Sequence, residues 1–121
     1  IKNIKNIELI ENPTFDKMAQ LMRDAHINLL ITFQNTGIKL KLLNSLHRGR
    51  YVVVNSKMVN NTGLETLCVN EDNPSATKRI IEELMKQPFT QAEIEKRERI
   101  LGAGFSNRAN ALRIAKEIFN P

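Results

Sequence analysis

The segment 36–50, TGIKLKLLNSLHRGR, gathers the residue types that can hold an anion. Gly37 opens a stretch of helical pattern. Free N–H groups at a helix start, together with the dipole, favour a phosphate or carboxylate. A glycine there lets a ligand approach the backbone closely. Lys39 and Lys41 add positive charge in the first turn or so, where cations are unfavourable for the helix itself. Their position points to an anion outside the helix; the plainer reading is two solvated side chains. A short glycine motif is by itself a weak signal.

Other polar residues carry less. His47 falls near a helix C-terminus, where positive charge is favourable, and His26 falls at a helix–strand junction; both read as structural. Cys68 reads as a small buried residue, because no basic neighbour in sequence would lower its pKa. Glu71 and Asp72 precede a helix start and suit its positive end. Glu65 is a carboxylate in a loop that can face a ligand, and Lys57 either joins the basic residues or sits in solvent. The run EIEKRER at 93–99 reads as a solvated helix with spaced opposite charges.

Composition narrows the function classes. The chain has 121 residues, Cys 1 and His 2, which excludes a disulfide scaffold and speaks against a metal site. A lone thiol and no export segment suggest a reducing, cytoplasmic location. No apolar run approaches the ~18 residues of a membrane span. The net charge of +5 favours anionic partners. Nucleic acid is a poor candidate, because aromatic residues are 5%, Trp is absent and the basic residues are scattered.

The elements that would position these residues follow from apolar period. Residues 7–10 (IELI) read as a short strand. Asn12, Pro13 and Thr14 start a helix whose inner face is Phe15, Met18, Ala19, Met22 and Ala25. Residues 27–32 (INLLIT) read as a strand buried on both faces, followed by a polar loop at 33–37. A helix over 38–48 has Ile38, Leu42 and Leu46 on one face, and Gly49 ends it as a left-handed residue. Residues 51–54 (YVVV) form a buried strand, 56–63 a polar loop, and 64–69 a short strand or turn.

Asn73 and Pro74 start the next helix, with Ala76, Ile80, Ile81, Leu84 and Met85 inward, and Pro88 stops it. Thr90 and Glu93 form a capping box for a helix over 91–101, which Gly102 and Gly104 break. A last helix starts at Ser106 or Asn107. The order β-α-β-α-β-β-α-α-α predicts one α/β domain over 1–121: a four-stranded, Rossmann-like parallel sheet flanked by helices, part of a larger doubly wound domain. Ligands of such sheets sit beyond the carboxyl ends of the strands, where the loop after INLLIT opens into a helix.

Residues 36–55 carry a more specific signal. TGIKLKLLNSLHRGRYVVVN resembles the donor-binding segment of nucleotide-sugar-dependent glycosyltransferases of the two-domain GT-B architecture, the group 1, mannosyltransferase-like kind. Gly37, Lys39, Leu40, Lys41, Leu42, Leu43, Leu46, Gly49, Val52 and Val53 match that pattern. The likeness is coherent over about residues 7–86. It implies the second half of the C-terminal, donor-binding Rossmann-like domain of a retaining enzyme.

Further implications concern roles. Backbone N–H groups around Gly37 and Ile38 would face the donor diphosphate or sugar. Lys39 or Lys41 would neutralise the diphosphate and stabilise it as the leaving group. Thr36 and Asn44 stand where such enzymes carry two glutamates, one for the sugar and one for the ribose hydroxyls. Asn44 can still hydrogen-bond a diol, without the strength of a charged acceptor. Arg50 stands where proline is usual.

The resemblance thus implies no cofactor beyond the nucleotide-sugar donor substrate. An acceptor glycan or lipid-linked sugar would be bound by an N-terminal domain, and the segment alone would not turn over. A site at the inner membrane face is compatible with the basic charge. So is self-association through apolar surface left open by a half-domain. The alternative function is a catalytically degenerate module serving as an interaction or scaffold domain.

Overall fold

The computed structural model describes residues 5–34 and 40–104, and the last helix expected from the sequence lies outside them. Three parallel strands, β1 (Ile27–Leu30), β2 (Tyr51–Val54) and β3 (Val69–Asn70), form a sheet in the order β1-β2-β3. The register sets Ile27 beside Tyr51 and Leu30 beside Val54, and then Val54 beside Asn70. The α/β class and the parallel sheet follow the expectation; the strand count does not. Residues 7–10 form no strand. Ile7 and Leu9 are half exposed there, with no ladder to hold them.

Among the described residues, five α-helices accompany the sheet: α1 (Phe15–Asp24), α2 (Leu40–Arg48), α3 (Ser56–Val59), α4 (Pro74–Leu84) and α5 (Gln91–Gly104). Thr14 caps α1, its Oγ1 accepting from Lys17 N at 3.1 Å. Asn73 caps α4, its Oδ1 accepting from Ser75 N at 2.9 Å and Ala76 N at 3.1 Å. Each supplies an acceptor to N–H groups that have no partner within the helix. Thr90 Oγ1 accepts from Glu93 N at 3.4 Å at the start of α5.

Strand alternation divides the core. Val52 and Val54 join Leu42 and Leu46 of α2, Met58 and Val59 of α3, Leu64 and Leu67 of the turn before β3, and Leu101 of α5 in one cluster. Val53, fully buried, faces the other way, and α4 packs against β2. α4 runs back from β3 to the amino ends of β1 and β2. There His26 Nε2 lies 2.8 Å from the carbonyls of Leu84 and Gln87, and Tyr51 Oη donates to the Pro88 carbonyl at 2.9 Å. The Tyr51 ring meets His26 and Phe89 edge-on, at 5.4 and 5.1 Å. His26 is structural, as its position at the junction suggests.

Four local expectations are corrected. β1 is not buried on both faces: Leu29 is 47% and Ile31 49% exposed, because β1 is the edge of the described sheet and α4 covers β2. Gly49 is not left-handed, since Gly63 is the glycine with positive φ among the described residues. Gly49 is needed for room: a Cβ would stand 2.5 Å from Asn28 Nδ2 and 2.8 Å from the Ser45 carbonyl.

The expected loop at 56–63 begins with α3, whose Met58 and Val59 are buried, before the positive-φ turn residues Asn61 and Gly63. α5 runs through Gly102 to Gly104. Interior glycines cost a helix about 1 kcal/mol each and do not forbid it.

Candidate functional site at the carboxyl edge

The carboxyl ends of the strands meet in a polar rim. The chain leaves β1 at Leu30, and Thr32 pairs with Asn55 just beyond β2: Asn55 Nδ2 donates to the Thr32 carbonyl at 2.7 Å and Thr32 N donates back to Asn55 Oδ1 at 3.3 Å. Lys57 Nζ donates to the Phe33 carbonyl at 3.4 Å. Beyond β3, Asp72 accepts from Ser56 N at 2.7 Å and from Ser56 Oγ at 2.6 Å. These bonds from the Ser56 side chain and amide hold the Asp72 carboxyl below its usual pKa. Glu71 Oε2 accepts from Asp72 N at 2.9 Å and Asn73 N at 3.2 Å.

Of the six residues expected to bind a donor, Thr36, Gly37, Ile38 and Lys39 lie outside the described residues. Lys41 is exposed in the first described turn of α2, and Asn44 is half buried one turn later. Spaced three apart on a helix, the two are neighbours on its surface. α2 carries no acidic residue in that turn. Lys57, exposed, reaches the exit of β1 through its bond to the Phe33 carbonyl.

Of the two carboxylates before α4, one acts differently from expectation. Asp72 serves the start of α3 rather than that of α4, while Glu71 ties the backbone that enters α4. Glu65 sits on a 3-10 turn (Glu65–Leu67) that enters β3, away from the carboxyl-end loops. Cys68 is half buried, and burial pushes its thiol up to about 11. That keeps it protonated and unreactive at neutral pH.

Beside the rim, a groove of about 620 Å³ runs between β1 and α4. Its floor is Leu29, Ile31, Phe33 and Ile81, and Glu71, Asp72 and Glu82 stand against Lys78 on its rim. Phe33, 85% exposed, continues the outward side of β1. A planar or apolar ligand portion fits such a floor, and the carboxylates fit hydroxyl or amino donors.

Sequence reading missed Arg97. It lies in the charged run taken as a solvated face, yet it is 5% exposed. Its guanidinium donates to the carbonyls of Leu46 at 3.3 Å, Gly49 at 2.8 Å and Arg50, and stacks 4.5 Å from the Phe89 ring centre. Burial lowers its pKa. The signal available was position: Arg97 lies between Glu93 and Leu101 on the α5 face that Ile94 and Leu101 share, where a buried cation needs partners.

Among the described residues, no group of His, Cys, Asp and Glu is gathered to hold a metal ion. Nor is any described helix long and apolar enough to cross a membrane. No family model matches the sequence, and neither a curated protein nor a solved structure matches it significantly.

Proposed function

We propose that the chain is the donor-binding part of a retaining, nucleotide-sugar-dependent glycosyltransferase of the GT-B architecture. The reading rests on the resemblance of residues 36–55, and one structural observation carries it further. Lys41 opens a helix that follows a parallel strand, at the end of the sheet where ligands of open α/β sheets bind. In that role Lys41 pairs with the donor diphosphate. The bond from the sugar's anomeric carbon to the phosphate oxygen breaks, a bond to the acceptor hydroxyl oxygen forms, and nucleoside diphosphate leaves. The ammonium, with amide N–H groups at the helix start, meets the charge that develops on the leaving oxygen. Asn44 takes the ribose hydroxyls.

Titration calorimetry with nucleoside-diphosphate sugars tests this. Lys41→Ala is expected to weaken binding about 10-fold or more, the worth of a charge-assisted contact, with thermal stability nearly unchanged. Equal affinity in the two proteins removes Lys41 from the site. Asn44→Glu is expected to keep or raise affinity; a clear loss shows Asn44 tuned to another ligand.

A second reading, a scaffold module without turnover, draws on two observations. Thr36 and Asn44 stand where the resemblance expects carboxylates, and β1 presents Leu29, Ile31 and Phe33 to solvent. Absent nucleotide binding together with a tight protein partner decides for it.

A further inference from the structure

A second cavity lies away from the carboxyl edge. It lies at the opposite, amino end of the sheet, where α1 and α2 finish and β2 begins, and it encloses about 710 Å³. That is the size range of small-molecule sites. Its composition is two-sided. The floor is apolar, from Leu46, Ile94 and Leu101, with the Phe89 ring as one wall. The remaining lining is rich in guanidinium: Arg23, Arg48, Arg50 and Arg97 stand against the carboxylates of Asp24 and Glu98.

Not all of that charge is committed to the fold. Arg50 Nη1 donates to the carbonyls of Asp24 at 3.2 Å and Ala25 at 3.5 Å, at the end of α1. Arg97 serves the carbonyls where α2 turns into β2. Those two guanidiniums thus absorb the negative ends of both helices, which would otherwise repel an anion. Arg23 and Arg48 remain exposed at the mouth. Arg48 stacks over the Phe15 ring at 5.5 Å, an arrangement that leaves its N–H edge for an acceptor. Deeper in, Arg97 Nε is buried with no hydrogen-bond partner among the described residues. A buried cation beside an apolar floor is costly, and a neighbouring anion offsets that cost.

We propose that this pocket binds an organic phosphate, its phosphoryl group held by Arg23 and Arg48 and its apolar part lying on Leu46, Ile94 and Leu101. Guanidinium forks match phosphate geometry, and the floor selects a ligand with an apolar body over the bare ion. The site is separate from Lys41 and Asn44 and does not depend on the donor-binding reading.

The probes are hexyl phosphate, inorganic phosphate and hexanol, titrated into the ¹⁵N-labelled 121-residue chain while the Gly49 and Gly102 amides are followed. Hexyl phosphate is expected to bind about 10-fold or more tighter than either of the others, since each lacks one half of the match. The double variant R23Q/R48Q is expected to lose at least about 10-fold of that affinity, as charge-assisted contacts do. R79Q, an exposed arginine of α4 outside the pocket, retains it and reports correct folding. Hexyl phosphate binding no tighter than phosphate or hexanol overturns the proposal, as does R23Q/R48Q binding like the parent.

Phosphatidylglycerol vesicles identify the source of the phosphate. Vesicle binding displaced by hexyl phosphate assigns it to a lipid headgroup. Hexyl phosphate binding without vesicle binding assigns it to a free phosphomonoester. Vesicle binding that hexyl phosphate leaves untouched, in a chain that does not bind hexyl phosphate, overturns the pocket.

Discussion

Asp72 shows how one carboxylate can organise a rim while remaining exposed. Both its oxygens accept from Ser56, one from the amide and one from the hydroxyl. Its pKa is therefore lowered in the folded chain from 3.8. A carboxyl whose folded pKa is depressed binds fewer protons folded than unfolded, so it contributes stability above the unfolded value and loses that contribution as pH falls through the folded one. Thermal unfolding of the parent and Asp72→Asn across pH 6 to 2 checks this: the parent's advantage is expected to be full above about pH 4 and to shrink below it. A gap that stays constant with pH removes Asp72 from the linkage. Arg97 works in the opposite setting, its charge desolvated and matched by three carbonyls and a ring face.

Among the elements, the α2–β2 corner is the tightest. The Gly49 amide donates to the Ser45 carbonyl at 2.7 Å, continuing the helix, and the chain then turns directly into Tyr51. Asn28 of β1 presses against that corner while its Nδ2 donates to the Met22 carbonyl at 3.1 Å. A side chain at residue 49 displaces Asn28 or the Ser45 backbone. Gly49→Ala is thus expected to destabilise by about 2 kcal/mol, within the range of overpacked sites. Urea unfolding of both proteins measures it; an unchanged midpoint means the corner is looser than its contacts indicate. Because α2 carries Lys41 and Asn44, the same substitution shifts their helix relative to β1.

At the scale of the whole molecule, the sheet is covered unevenly. Among the described residues, α2, α3 and α5 close one face around Val52 and Val54, while α4 covers β2 on the other and leaves β1 open. Leu29, Ile31 and Phe33 then form an apolar stripe along and just beyond an edge strand, without a single charged residue between 27 and 32. Edges lacking such charges pair readily with other chains. Self-association that rises with concentration is expected in sedimentation, and Ile31→Lys is expected to reduce it several-fold, a charge on an open apolar edge being a strong deterrent. Equal association in the two proteins places the contact elsewhere.

Local chemistry was enough to read much of this from the sequence. Asn73–Pro74 and Thr14 mark helix starts because their side chains and missing N–H satisfy a local rule. YVVV marks a core strand because β-branched runs pack well there. Lys41 was legible as a residue near a helix start for the same reason of short range, whereas Asn44 was singled out only by the resemblance. The rest depended on partners distant in the chain. Residues 7–10 have a strand's composition but no neighbouring ladder, and INLLIT is apolar throughout while only part of it is covered. Only its place on the Ile94–Leu101 face sets Arg97 apart from its charged neighbours in sequence, and its burial is decided when α5 docks on the α2–β2 corner, 47 to 51 residues away. Periodicity and capping are properties of a segment; burial, pairing and the company a charge keeps are properties of the packed chain, and only the tertiary structure decides them.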